Sequence, residues 1–134
     1  MQVELDHVVL ECAHPEETLA FLQGLLGLEG VRVAEYRAGE APFLSARVGP
    51  GTIVDFFPPA LWADPGQARN PNHLCFTLSA ADAARARAWL EAAGVAIERT
   101  SDRNYGARGW GVAFYFTAPG GIPLEIRHYP AESA

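Results

Sequence analysis

The sequence predicts an α+β protein made of two consecutive βαβββ modules, and three observations carry that prediction. A strand-like segment holding a histidine, LDHVVLEC around His7, returns as PNHLCFTL around His73. Each copy is followed by apolar residues at helical spacing. Each half then closes on a strand pattern with a central acid, GTIVDFFP around Asp55 and GIPLEIRHYP around Glu125. The acids fall 48 and 52 residues beyond their respective histidines. The 134 residues are expected to form a single domain of two repeats, about 1–60 and about 71–130. Neither repeat is large enough to bury much core alone.

Residues 3–11 alternate, with Val3, Leu5, His7, Val9 and Glu11 on one face. Pro15 suits the first turn of a helix, and Glu16 and Glu17 complement its positive end. Leu19, Leu22, Leu25 and Leu26 supply the apolar stripe and Gly27 the stop. Strands are expected near 31–37, 43–48 and 52–57, with turns at Ala38-Gly39 and Gly49-Pro50-Gly51. A segment rich in Pro, Gly and Asn, 58–72, links the halves.

The second half predicts a strand over 73–78 and a helix capped by Ser79, with Asp82 three residues on. Ala83, Ala86, Trp89, Leu90 and Ala93 form the helix's apolar face, and Gly94 follows its end. Short strands at 95–99, 112–117 and 122–128 complete the module. The polar, glycine-rich segment 100–111 reads as a loop or a weak extra strand, and as a candidate lid.

The composition, 49% hydrophobic and 19% charged, is that of a soluble globular domain. A net charge of −6 and the absence of lysine argue against a nucleic-acid partner. No apolar run is long enough to span a bilayer, and the start MQVELDHVV lacks a signal peptide's basic and apolar regions, so the expected location is cytoplasmic. Cys12 and Cys75 have neither CxxC spacing nor a secretory context and read as buried, reduced thiols.

Strand parity places an apolar face opposite each polar residue of interest: Val8 and Leu10 against His7, Leu74 and Phe76 against His73. Val54 and Phe56 likewise back Asp55, and Leu124 and Ile126 back Glu125. Taken singly, each polar residue is better read as a structural histidine or a solvated acid. Four in register across a duplication point to a divalent metal site. Imidazole and carboxylate together suit Zn²⁺, Ni²⁺, Fe²⁺, Mn²⁺ or Co²⁺, with positions left for substrate or water. Asp55, the shorter acid, either ligates directly or acts through water.

With these motifs, together with TLAFLQGLLGLEG and YFTAPGGIPLEI, the chain resembles the vicinal oxygen chelate superfamily. That superfamily holds glyoxalase I, extradiol dioxygenases, fosfomycin-resistance enzymes and bleomycin-binding proteins. Ala118, Pro119, Gly120 and Gly121 stand where the family's turn usually carries acids. The resemblance implies that the modules curl into a cup-like mixed sheet with helices outside. It also implies a metal between two modules, held by His7, His73 and Glu125, with Asp55 where glyoxalase I has its fourth ligand. Small members commonly dimerise, so it implies a homodimer whose site lies between modules of one chain or is shared by two.

By parity Tyr115 faces the cup, ten residues before Glu125. It either donates a hydrogen bond or a proton to substrate or fills a half-buried strand. Arg47 is a candidate anion ligand or a surface ion pair. Trp110, Tyr105 and Trp62 either cap a substrate or pack. His14 and His128 read as helix-start and surface residues.

The function expected is a divalent-metal-dependent enzyme on a small oxygen-chelating substrate, with a glyoxalase-type lyase or isomerase favoured and Glu125 or Asp55 shuttling a proton. An extradiol dioxygenase is an alternative, but its additional base histidine is not evident. A fosfomycin-type transferase fits Tyr115 but lacks the expected basic cluster. A metal-free, bleomycin-resistance-like binding protein is the alternative from another class, and the net charge of −6 suits a cationic drug.

Overall fold

The computed structural model describes residues 1–130. The chain divides into two compact units, the first ending at Asn70 and the second beginning at Pro71. In the first, β1 (His7–Glu11) leads through α1 (Pro15–Leu26), β2 (Glu29–Val31), α2 (Val33–Arg37) and β3 (Leu44–Gly49) to β4 (Thr52–Phe57). The second contains β5 (Leu74–Thr77), α3 (Ala80–Ala92), β6 (Arg99–Gly106), β7 (Gly109–Ala118) and β8 (Ile122–His128). The sheets have the same plan, in the orders β1-β4-β3-β2 and β5-β8-β7-β6. In each, the first strand runs parallel to the last and the other pairs are antiparallel. Parallel neighbours need a long crossover, which α1 and α3 begin.

Local chemistry sets the helix limits. Pro15 opens α1, and Gly27 ends it at φ 67°, its N–H reaching Gln23 O. Leu19, Phe21, Leu22 and Leu25 are buried, and α1 packs against β3 and β4. The sheet contributes Leu44, Ala46, Val54 and Phe56 to this core. Ser79 Oγ accepts the Asp82 N–H at 3.1 Å and so caps α3. Ala83, Ala86 and Leu90 are the buried residues of α3, which contacts β8, where Leu124 and Ile126 are buried. Each fully buried Leu, Ile or Phe contributes about 1.5–3 kcal/mol.

Three local expectations differ from the structure. The strand expected over 31–37 stops at Val31, and Val33–Arg37 is helical. Arg32 lies between them at φ 60°, a left-handed conformation that breaks the extended run. Its guanidinium lies over Phe43, 5.0 Å from the ring centroid, and Arg37 of α2 pairs with Glu16 of α1 at 2.7 Å. In the second unit, Val95–Glu98 is not strand. The segment 100–111 instead contributes both arms of the β6–β7 hairpin, closed by the Gly106–Gly109 pair. A register shift between Ser101 and Asn104 accommodates its irregular sequence. Finally, Cys12 is buried as expected, but Cys75 is exposed.

The connecting segment is fastened to the first unit by one acid. Glu11, 8% exposed, accepts the Ala63 N–H at 2.8 Å and the Arg69 N–H at 2.6 Å. The Asn70 side chain bonds both the backbone N–H and the carbonyl of Glu11. Among the described residues, no helix is long and apolar enough to cross a membrane.

Candidate functional site

The polar residues of the second unit lie in one cross-strand row. Arg99 pairs with Tyr115, Tyr115 with Glu125, and Glu125 with Cys75. The equivalent row of the first unit is Val31, Ser45, Asp55 and Val9. In both units the histidine stands two residues before the row's first-strand member, so parity puts it on the same face as the carboxylate. The histidines are not central to their strands: His7 is the first residue of β1, and His73 precedes β5 by one residue.

Glu125 is 2% exposed. Its Oε1 lies 3.0 Å from His73 Nε2. Its Oε2 accepts from Arg127 Nε at 3.1 Å and Nη2 at 2.8 Å. Burial opposes the carboxylate's charge, but hydrogen bonds from Arg127, Tyr115 and Cys75 outweigh it, holding Glu125 below its ordinary range. Arg127 is itself 5% exposed and also reaches the Asn104 and Tyr105 carbonyls and the Tyr129 hydroxyl. Asn104 Nδ2 donates to the Tyr115 hydroxyl, and the Tyr115 ring meets His73 edge-on with centroids 5.7 Å apart. Although Cys75 is exposed as a residue, its sulfur is partly withdrawn from water beside Glu125, which pushes the thiol up to about 11 and keeps it protonated at neutral pH.

Each histidine is oriented by the residue before it. His7 Nδ1 lies 2.7 Å from Asp6 Oδ2, and His73 Nδ1 lies 2.8 Å from Asn72 Oδ1. Each oxygen can accept from an Nδ1–H, and in that tautomer Nε2 is left for another partner, the arrangement that orients metal-ligating histidines. The Asp6 hydrogen bond, and then the charge of Asp55, raise the His7 pKa. Asp55, 5% exposed, is held by Ser45 Oγ at 2.6 Å.

These donors fit a divalent cation. In the Nδ1–H tautomer, His73 Nε2 and Glu125 Oε1, 3.0 Å apart, offer a nitrogen and an oxygen lone pair to a shared cation, whereas in the Nε2–H tautomer the same contact is a hydrogen bond to the carboxylate. Nitrogen and carboxylate oxygen are what zinc, iron, nickel, cobalt and manganese accept. Each unit carries one such histidine and one such acid on a strand face. Among the described residues, no group of three or more His, Cys, Asp or Glu side chains is placed to hold a metal ion.

Other candidate residues are engaged elsewhere. Arg47 Nη1 donates to the Gly49 and Pro50 carbonyls, each at 3.3 Å, and so braces the β3–β4 turn. Trp62 Nε1 donates to Phe57 O at 3.0 Å. Trp110 and Tyr105, both exposed, face each other across the β6–β7 hairpin with centroids 5.1 Å apart, and Arg103 covers the Trp110 ring. His14 precedes α1 without capping it, and His128 ends β8. Arg127 and Arg99 are among the residues of the site not singled out in the sequence. Arg127 had a signal, since it follows Glu125 by two on a strand and must share its face. Arg99 had none, because its place depends on the β6–β7 register.

The family model described as Glyoxalase/Bleomycin resistance protein/Dioxygenase superfamily matches residues 4–126. No curated protein matches the chain. Among solved structures, the integron cassette protein VCH_CASS1 from the mobile metagenome of V. cholerae is 25% identical, covering 96% of this chain and 98% of its own, with a TM-score of 0.75. Oxidase ChaP-H2 is 24% identical, covering 99% and 98%, with a TM-score of 0.73. A lactoylglutathione lyase from Agrobacterium tumefaciens is 18% identical, covering 95% and 94%, with a TM-score of 0.66. The family match spans both repeated sheets and all four candidate ligands, and the chain belongs to the glyoxalase/bleomycin resistance protein/dioxygenase, or vicinal oxygen chelate, superfamily.

Proposed function

We propose that the chain is a divalent-metal-dependent enzyme acting on a small oxygen-chelating substrate, with lyase or isomerase chemistry of glyoxalase type. The observation that supports this most directly is the facing pair His73 Nε2 and Glu125 Oε1, each fixed from behind, by Asn72 and by Arg127. His7, oriented by Asp6, is the proposed third ligand, and the acid Asp55 the fourth. A divalent ion there supplies Lewis acidity toward a substrate oxygen.

The chain's own groups divide the remaining work. Arg127 engages Oε2 of Glu125, so Glu125 is a fixed ligand offering Oε1 and is not free to swing as a base. Asp55 is held through the Ser45 hydroxyl, which can donate to a carboxylate or accept from a carboxylic acid, so it is the better-placed proton carrier. The Tyr115 hydroxyl, positioned by Asn104, donates toward Glu125 or toward substrate oxygen beside it.

Metal analysis of protein purified without chelator is expected to find stoichiometric metal, reduced at least tenfold in affinity by His73→Ala and by Glu125→Gln. Loaded protein is then screened against hemithioacetals, catechols and epoxides. No stoichiometric metal, together with Co²⁺ titrations that His7→Ala and His73→Ala leave unchanged, refutes the proposal and favours a metal-free binding protein.

A further inference from the structure

A groove of about 360 Å³ opens beside the candidate ligands of the second unit, lined by His73, Arg99, Tyr115, Thr117, Asn72 and Glu98 among others. We infer that this groove seats the anionic end of the substrate and that Arg99 binds it. The substrate is thereby a small oxygen-chelating molecule that also carries a carboxylate. This inference rests on the function proposed above and adds the substrate's charge to it.

Position is the first support. Arg99 ends the row Arg99, Tyr115, Glu125, Cys75, at the place where the first unit has Val31. A group bound to Arg99 therefore lies along one sheet face from the proposed ligand Glu125, with the Tyr115 ring between. The Tyr115 ring also meets His73, so a molecule in the groove touches cation, phenol and imidazole together.

The second support is the state of the guanidinium. Its central carbon lies 4.1 Å from the centroid of the Tyr115 ring. Among the described residues, no hydrogen bond or ion pair engages it. Stacking fixes the plane while leaving the edge N–H donors for a planar two-oxygen acceptor, which is how Arg recognises carboxylate. The one acid lining the groove, Glu98, accepts from the Thr117 hydroxyl rather than pairing with Arg99.

Charge distribution is the third. The whole net charge of −6 lies in residues 1–70, whereas residues 71–134 hold six acids and six arginines. Of those arginines, Arg85, Arg87 and Arg127 are paired with Asp82, Glu91 and Glu125, and Arg103 covers Trp110. In the first unit, Arg47 bonds turn carbonyls.

The test uses the full chain, ¹⁵N-labelled and metal-free, titrated with malonate and with its uncharged isostere malonamide. Malonate is expected to shift the Arg99 Nε–H and the amides of Tyr115 and Thr117, and malonamide is expected to leave them in place. Arg99→Gln should weaken malonate binding about tenfold, with Arg99→Lys between. The amide spectrum of each variant confirms its fold. Equal responses to malonate and malonamide, no response at Arg99, or malonate affinity unchanged in Arg99→Gln each overturn the inference. A parallel Zn²⁺ titration of the wild-type chain separates the two failures. Loss of the metal reading shows as absent Zn²⁺ binding, and loss of the carboxylate reading shows only in the malonate arm.

Discussion

Replacing Arg127 by Met keeps an unbranched apolar stem but removes a cation that is 5% exposed, facing a carboxylate that is 2% exposed. The loss is two charge-assisted hydrogen bonds to Glu125 Oε2, at 2.8 and 3.1 Å. The contacts with Asn104 O, Tyr105 O and Tyr129 Oη are longer, 3.4, 3.5 and 3.4 Å, and weigh less. Breaking one side of a buried ion pair costs about 3–5 kcal/mol, because the surviving charge stays desolvated. His73 still faces Oε1, which favours the lower end, about 3 kcal/mol near pH 7.

The pH dependence has a definite sign. In the folded protein Glu125 is held below its ordinary 4.5, so its contribution is present above that value and fades as pH falls through the lower folded value. In Arg127→Met, burial acts with one opposing partner fewer, and the carboxyl rises. The penalty is therefore largest at neutral pH and shrinks as acid protonates Glu125. Urea unfolding followed by circular dichroism at pH 7 and pH 3.5 measures both. A penalty below about 1 kcal/mol at pH 7, or one equally large at both pH values, would refute the assignment of Glu125 as a charge stabilised by Arg127. Adding Glu125→Leu to Arg127→Met should recover much of the loss, since it removes the stranded carboxylate.

Ser79→Ala deletes the hydroxyl that caps α3 and should cost about 1 kcal/mol in the same unfolding measurement. Gly111→Ala should cost more, about 1–3 kcal/mol, because its Cβ would meet the His128 carbonyl at 2.8 Å and the Tyr129 ring at 3.2 Å; a wild-type midpoint would contradict that packing. Iodoacetamide should label Cys75 alone in the folded chain, slowly at pH 7 and about tenfold faster per pH unit until the thiol's pKa near 11. Peptide mass spectrometry showing equal labelling of Cys12, which is 1% exposed, would contradict its burial.

The fold was legible because a period of two is hard to disguise: Val54 and Phe56 about Asp55, and Leu124 and Ile126 about Glu125, mark one buried face unambiguously. The same parity contained Arg127. What it could not supply was register. The pairing of Arg99 with Tyr115 depends on where the β6–β7 hairpin closes and on a shift inside it, neither of which alternation encodes. The α2 helix escaped for another reason, since VRVAEYR alternates like a strand and only the left-handed Arg32 reveals the break. Arg47 shows the limit of parity itself. A strand face says which way a side chain leaves the backbone, and a long side chain can still turn back to a nearby carbonyl.

The clasp at Glu11 decides where the chain tolerates being cut. With the Ala63 and Arg69 amides and the Asn70 side chain all fastened to Glu11, the first unit keeps its hold on the connecting segment up to Asn70. A protease nick or an inserted loop is then best accommodated at Pro71, one residue before Asn72, whose side chain orients His73. The seam between the two units falls at the same spot. Lengthening or shortening that seam thus alters the aim of a candidate metal ligand before it disturbs either hydrophobic core.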